Sequence, residues 1–280
     1  MITTEHRFVA ADGLPIFYRR TKPSKTASAG VLVVHGMGEH GGRYAHLAEF
    51  LAASGAQVLT PDLRGFGKSG GARGCLRSME DHHADLSAAL DILAGDVPGR
   101  PIFILGHSFG GLVSASLVAR SPGRRLAGLV LSSPIFGIGV PVPVWRHALG
   151  WALSWSVPDY AQSTGVRPEW LTHDPEMLER YGRDALIHHK ISCRLYRILT
   201  ENLSDRARIA RRIKVPLLVL QAELDRVVSP DAAVKFFHEC PGPDKELEVY
   251  AGFYHEILNE VERQRVFARI SSWIMAHLTS

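Results

Sequence analysis

The sequence predicts an α/β protein: one mostly parallel sheet with helices on both of its faces. Three observations carry that expectation. Short apolar runs of strand length alternate with amphipathic stretches of helix length along most of the chain. No internal repeat or low-complexity segment interrupts the alternation. With 280 residues, 46% of them hydrophobic, the chain is long enough to bury one large core.

The chain opens with Arg7 to Ala10 and Leu14 to Arg19, which flank Asp12-Gly13 and read as a hairpin. Strands near Val31, Val58, Ile102, Leu129, Leu217 and Leu247 then form the mostly parallel part. Helices at Tyr44 to Ser54, Met79 to Leu93, Phe109 to Ala119, Pro230 to Glu239 and Val261 to His277 cover its faces. The alternation breaks once. After the sixth strand, Leu126 to Ser132, a long stretch with four tryptophans (Trp145, Trp151, Trp155, Trp170) and several prolines precedes the return to strand at Val215. A structureless loop of that length does not suit a compact domain, so helices are expected within it. Residues 1–133 and 213–280 thus read as the core domain, and residues 134–212 as a helical cap, or lid, inserted after strand six.

Within this frame Gly106-His107-Ser108-Phe109-Gly110 stands out. It follows the apolar run Pro101 to Leu105 and precedes a helix. A serine at such a strand-to-helix elbow projects its hydroxyl above the sheet, and the flanking glycines let the backbone turn tightly. The partners of such a serine follow downstream, an acid and then a histidine. Asp225 lies beyond the run Leu217 to Gln221, and His255 beyond Glu246 to Tyr250. All three sit just past a strand's carboxyl end, where open α/β sheets bind ligands. The residue types form one chemical unit. A serine hydroxyl is a poor nucleophile at neutral pH, and a histidine with pKa near about 6.5 can accept its proton during attack. Asp225 would hold the imidazole in the right tautomer and stabilise the imidazolium. Oxyanion donors are expected from the N–H of Phe109, next after the serine, and of Met37, in His35-Gly36-Met37-Gly38 after the strand Val31 to Val34.

These motifs extend over nearly the whole chain. HGMGEH (His35 to His40), DLRGFGKSGG (Asp62 to Gly71), GHSFGG (Gly106 to Gly111), LSSP (Leu131 to Pro134), HDPEM (His173 to Met177), HHKIS (His188 to Ser192), ELDRVVSP (Glu223 to Pro230) and GFYHEILNE (Gly252 to Glu260) occur in that order. Together they resemble the monoglyceride lipase and lysophospholipase family of α/β-hydrolases. The resemblance implies Ser108 as nucleophile, Asp225 as acid, His255 as base, and Met37 and Phe109 as oxyanion donors. It also implies hydrolysis of a single-acyl-chain lipid, a monoacylglycerol or lysophospholipid, through an acyl-enzyme and without a cofactor. The chain departs from the family at Glu223, where relatives often carry a small residue. Other readings stay open, because substrate choice resides in the insert: a general carboxylesterase or thioesterase on small esters, a peptidase, or a carbon–carbon hydrolase. Serine at position 108 stands against dehalogenases and epoxide hydrolases, whose nucleophile is aspartate. From a different class, a binding protein on the same fold conflicts with a complete triad and oxyanion loop.

Composition narrows the partners. A net charge of +4 and a pI near 9.0 could suit an anionic surface. The dense basic run Arg206 to Lys214, however, interleaves Ala207, Ile209, Ala210 and Ile213 as an amphipathic helix does. No nucleic-acid motif is present. His82-His83, His188-His189 and His255-Glu256 form no HExxH, since position 259 is asparagine, so no metal is expected. Gly65, Gly67, Gly70 and Gly71 lack the Lys-Ser/Thr of a phosphate loop and read as turns on the rim of the site. Asp62, His35 and His107 read as residues that order neighbouring loops. Cys75, Cys193 and Cys240 are odd in number and far apart, which suggests neither disulfides nor a metal site. No apolar stretch near 20 residues exists, and Glu5, Arg7 and Asp12 occupy the region where a signal peptide is apolar. The chain therefore reads as cytoplasmic, with the insert as the part that would meet a membrane peripherally.

That insert holds Val144 to Trp155, whose large residues are nearly all apolar around Arg146 and His147. Two readings fit: a helix buried against the core, or one whose face lines an acyl tunnel or leans on lipid. Prolines at 141 and 143 and the shortness of the run argue against a spanning helix. Ile135, Val144, Leu149 and Trp151 are the candidate substrate-binding residues.

Overall fold

The structure, a computed structural model, describes residues 1–140 and 142–278. Pro141 and the side chain of Arg146 lie outside the described residues. A hairpin of β1 (Ile2–Val9) and β2 (Pro15–Lys22) leads into β3 (Ala29–Val34), α1 (Ala45–Ala53), β4 (Ala56–Pro61), α2 (Met79–Asp96), β5 (Ile102–His107), α3 (Phe109–Arg120) and β6 (Gly128–Ser132). The insert contains α4 (Val144–Ser156), β7 (Ala161–Ser163), α5 (Pro175–Arg183), β8 (Lys190–Ser192), α6 (Cys193–Ser204) and α7 (Arg206–Ala210). The chain ends with β9 (Leu217–Ala222), α8 (Pro230–Glu239), β10 (Lys245–Tyr250) and α9 (Arg263–Ala276).

The sheet has eight strands in the order β1-β2-β4-β3-β5-β6-β9-β10. From β4 to β10 every pairing is parallel, while β2 joins both β1 and β4 antiparallel. Strands β3, β4, β6 and β9 are buried along their whole length, which is why they read as mostly apolar runs. Side chains alternate between two cores. Leu32, Val34 and Ile104 pack toward α2, α3 and α8, whose Leu90, Leu112 and Phe236 are buried with them. Val31, Val33 and Phe103 face α1 and α9 and meet Leu47, Phe267 and Trp273. The expected two-faced, mostly parallel sheet is present, with the opening hairpin longer at both ends than the sequence suggests.

Within the insert, Asp174 caps α5 by accepting from Glu176 N–H and Met177 N–H, with Pro175 in the first turn. Ser192 caps α6 through Leu195 N–H. The short antiparallel ribbon of β7 and β8 has no counterpart in the sequence reading, because AQS and KIS carry no apolar run. The basic run after Asp205 is helical only over Arg206–Ala210. Ile209, Ala210 and Ile213 face inward while Arg211 and Arg212 are exposed. Among the described residues, no helix is long and apolar enough to cross a membrane.

Candidate active site

Ser108 follows the central strand β5 directly and caps α3 with φ 52° and ψ −116°, a conformation that residues other than glycine rarely adopt. The strain has a visible cause. The neighbouring backbones are so close that a Cβ on Gly110 would stand 2.3 Å from the Val34 carbonyl oxygen, and one on Gly106 would stand 2.6 Å from that of Gly110. The structure brings the three sequence-predicted residues together. His255 Nε2 lies 2.9 Å from Ser108 Oγ, and His255 Nδ1 lies 2.7 Å from Asp225 Oδ2. A carboxylate can only accept, so Nδ1 carries the proton and Nε2 is left to accept from the serine hydroxyl. Asp225 is held in turn by Val227 N–H at 2.8 Å and Val228 N–H at 2.9 Å on Oδ1. Buried Gln221 stands beside Oδ2, its Nε2 3.4 Å away.

Electrostatics match this arrangement. Burial alone would lower the His255 pKa, but the Asp225 charge and hydrogen bond, helped by Glu256 and Glu39, raise it above the ordinary histidine value. Burial pushes Asp225 the other way, and His255 with the two backbone N–H groups holds it below the ordinary aspartate value. His107, tilted against His255 with ring centroids 4.9 Å apart, is lowered to about 4 by burial and by the charge of His255. It cannot serve as a second base that cycles near neutral pH. His35 Nε2 accepts from Leu63 N–H at 2.9 Å, so its Nδ1 donates to Gly36 O at 2.7 Å. Asp62 accepts from Gly41 N–H and Lys68 N–H and orders the rim loop.

The two oxyanion candidates are distinguishable from their neighbours. Gly36 N–H is engaged by Glu39 Oε1 at 2.6 Å. Among the described residues, neither Met37 N–H nor Phe109 N–H donates to a protein acceptor. Phe109 is the first residue of α3, where the helix leaves N–H groups unpaired. Glu223, the departure noted in the sequence, staples the acid loop to the histidine loop. Its Oε2 accepts from Gly252 N–H at 2.9 Å, beside the Leu224 N–H to Phe253 O bond of 3.0 Å.

A cavity of about 250 Å³ opens over Ser108, lined by Met37, Phe109, His107 and His255. Two kinds of residue line it. On the β3 side stand Glu39 and Arg43 from the loop after β3, with Glu256 and, from the insert, Tyr181 and His189. Arg43 forks onto Glu256 with two bonds of 2.7 Å and reaches Glu39 Oε2 at 2.6 Å. Its guanidinium carbon lies 4.9 Å from the Tyr181 ring centre. Burial would push Glu39 up, but Arg43, His107, His35 and the Tyr44 hydroxyl hold it down to about 2. Sequence reasoning assigned these residues no role. The signal available was the Glu39–Arg43 spacing of four and an acid directly after the histidine. Apolar residues from the segments after β6 and β9 and from α6 line the cavity too, Ile135, Ile138, Val140, Val142, Val227 and Leu199, together with polar Gln162, Ser163, Thr164 and Tyr196 of the insert.

Of the candidate substrate residues, Ile135 lines the cavity, whereas Val144, Leu149 and Trp151 do not. They point to solvent at 85%, 46% and 45% exposure, beside exposed Trp145 and Trp155. The reason is the inward face of α4. Gly150 lines the cavity, and a Cβ there would meet the Tyr196 ring at 3.3 Å. His147 Nδ1 and the Tyr196 hydroxyl share a hydrogen bond of 2.6 Å, and Ser154 is buried. Gly150, His147 and Ser154 thus sit toward α6, while Val144, Trp145, Leu149 and Trp151 are exposed and the ring of Trp155 lies under the Arg197 guanidinium of α6 at 4.6 Å.

The insert is fastened to the catalytic loops by backbone hydrogen bonds. His255 N–H donates to Trp170 O at 3.4 Å, Glu256 N–H to Leu171 O at 2.7 Å, His188 N–H to Gly38 O at 2.9 Å and Ser192 N–H to Gly74 O at 2.9 Å.

Known proteins share this organisation. The family described as serine aminopeptidase, S33, matches residues 25–262. A monoacylglycerol lipase of Mycolicibacterium smegmatis is 32% identical over 276 residues, 98% of each chain. Phospholipase YtpA of Bacillus subtilis is 33% identical over 238 residues, 85% of this chain and 91% of that protein. The crystal structure of Paleococcus ferrophilus monoacylglycerol lipase superposes with a TM-score of 0.84 at 30% identity, covering 99% of this chain and all of that one.

Proposed function

The chain belongs to the serine aminopeptidase S33 family of α/β-hydrolases, and from that premise we propose that it is a serine ester hydrolase that cleaves single-acyl-chain lipids, a monoacylglycerol or lysophospholipid, through an acyl-enzyme. The observation that carries the reading is the nucleophile's place in one cavity lined both by the Arg43 carboxylate cluster and by a set of apolar side chains. A lipid ester likewise has two parts, an alcohol head on one side of its carbonyl and an acyl chain on the other.

Ser108 Oγ attacks the ester carbonyl as His255 Nε2 takes its proton, and Asp225 stabilises the imidazolium. Met37 N–H and Phe109 N–H receive the negative oxygen of the tetrahedral intermediate. His255 returns the proton to the departing alcohol on the Arg43 side, and water then releases the acid by the same route in reverse. The acyl chain lies along Ile135, Ile138 and Leu199. An aminopeptidase reading is less well supported. Glu39 and Glu256, the two carboxylates of the lining, are already engaged by Arg43 and by Tyr44 and Asn259, which leaves neither free for an α-amino group.

Residues 134–212 act as a cap, and the outward face of α4 rests on the lipid surface that supplies the substrate. Val144, Trp145, Leu149, Trp151 and Trp155 form that face, and an aromatic-rich amphipathic helix suits a membrane interface.

Two measurements test the chemistry. A fluorophosphonate should label the parent and not Ser108→Ala, whose turnover should fall to the modest residue left by the oxyanion hole and binding. Labelling elsewhere, or undiminished esterase activity in the variant, rejects the assignment. Across a series of p-nitrophenyl esters, each methylene buried contributes about 0.8 kcal/mol, so efficiency should climb about threefold to fourfold per carbon until the apolar lining is covered. A flat profile from acetate to dodecanoate would leave a general esterase.

A further inference from the structure

We propose that His188, in the cap, is a positioning residue for the oxyanion loop; the inference rests on the esterase reading above. The turn Gly36-Met37-Gly38 is held at its base from within the core, by His35 Nδ1 on Gly36 O and by Gly36 N–H on Glu39. Its apex is held from outside. Gly38 O accepts from His188 N–H at 2.9 Å, and a Cβ on Gly38 would stand 2.4 Å from the His188 carbonyl oxygen. With φ at +81° as well, Gly38 is glycine on two counts. Met37, an oxyanion donor of the reading above, lies between base and apex.

The ring of His188 fixes the strut. It stacks on Phe66, with centroids 5.2 Å apart and planes 13° from parallel. Lys190 N–H donates to Nδ1 at 3.3 Å, so Nε2 carries the proton and faces Gly65 O at 3.3 Å. Phe66 is fully buried and also packs edge-on against His35, with centroids 5.9 Å apart. One phenyl ring therefore lies between the histidine that holds the base of the turn and the histidine that holds its apex. A strut of this kind matters because a donor misplaced by a fraction of an ångström gives up much of its stabilisation of the developing charge.

The test compares the parent, His188→Ala and His188→Phe on p-nitrophenyl acetate, with active enzyme counted by fluorophosphonate labelling of Ser108. Acetate is too short to exploit the apolar lining, so a role of His188 in holding acyl chains is silent. Removing an oxyanion donor outright costs about 100-fold to 1,000-fold in kcat, and a loosened one should cost less. His188→Ala is expected to lower kcat about tenfold, with KM and the acid limb of the pH profile unchanged. The Ki of a trifluoromethyl ketone, which forms an oxyanion on Ser108, should rise by the same factor. His188→Phe keeps the stack and should recover part of the loss. If the alanine variant does not fold, the phenylalanine variant decides, with a loss of about threefold expected on the same readouts. Unchanged kcat on acetate in the variant that decides, or a loss accompanied by a displaced acid limb, overturns the proposal. Failure of the esterase reading shows separately, as a parent that neither hydrolyses acetate nor labels at Ser108.

Discussion

His255 shows how one residue's surroundings set the working pH. In the proposed reaction its imidazole must be neutral to accept the serine proton, and the Asp225 carboxylate raises its pKa against the effect of burial. Activity should therefore fall with acidification through a midpoint above about 6.5, the ordinary histidine value. Asp225→Asn removes the principal raising influence and leaves burial. The limb should move to lower pH while kcat drops by up to about 10⁴-fold. A limb that stays in place when read by kcat/KM would show that another group governs it. These three residues were legible because each follows an apolar strand by a few positions. The Arg43 cluster was not, since Glu256, the carboxylate onto which Arg43 forks, is 213 positions away and nothing in either segment announces the other. The role of Glu223 was equally hidden, because its partner is a backbone N–H.

At the scale of elements, α4 separates what composition reveals from what it does not. Its apolar content identified a helix with an apolar face, but hydrophobicity alone does not say on which side that face lies. Gly150 decided it, because it lets α4 pack closely on Tyr196 and so turns the tryptophans outward. Replacing Trp145 and Trp155 together by serine should weaken binding to anionic phospholipid vesicles at least tenfold, since each buried tryptophan contributes on the order of 2 kcal/mol. Turnover of short esters in solution should not change. Equal vesicle binding by parent and variant would remove the membrane role of this face. Narrowing of the acyl-chain path calls for a residue that lines it. Ile138→Trp should shift preference to shorter chains, read from the same ester series, whereas Leu149→Trp on the outer face should not.

Over the whole molecule, buried neutral histidines set an acid limit on stability. Burial lowers His83 and His107 to about 4. The unfolded chain takes up a proton at each near pH 6.5, while the folded one does so only near 4. Stability is therefore lost as pH falls across that window, by about 1.4 kcal/mol per unit for each residue. His255 acts in the opposite sense: its raised pKa contributes stability below about 6.5 that is lost at higher pH. Urea unfolding of His83→Gln should show about 2 kcal/mol less loss between pH 6.5 and 5 than the parent. Equal losses would mean that His83 is accessible to protons. The order of strands and helices was readable at this scale because a buried parallel sheet imposes mostly apolar runs. The ribbon of β7 and β8 was not, being held by pairing between polar three-residue segments.

The backbone ties between cap and catalytic loops bear on how far this architecture can be recombined. The segment between β6 and β9 is continuous in the chain, yet its main chain hydrogen-bonds to Gly38, Gly74, His255 and Glu256. A chimera that transplants the whole segment from a relative therefore also transplants the supports of the oxyanion loop and the histidine loop, and inherits any mismatch as lost turnover. Exchange of residues 142–157 alone leaves those four ties in place. That helix can vary without disturbing those ties, while the rest of the segment stays bound to the loops it supports.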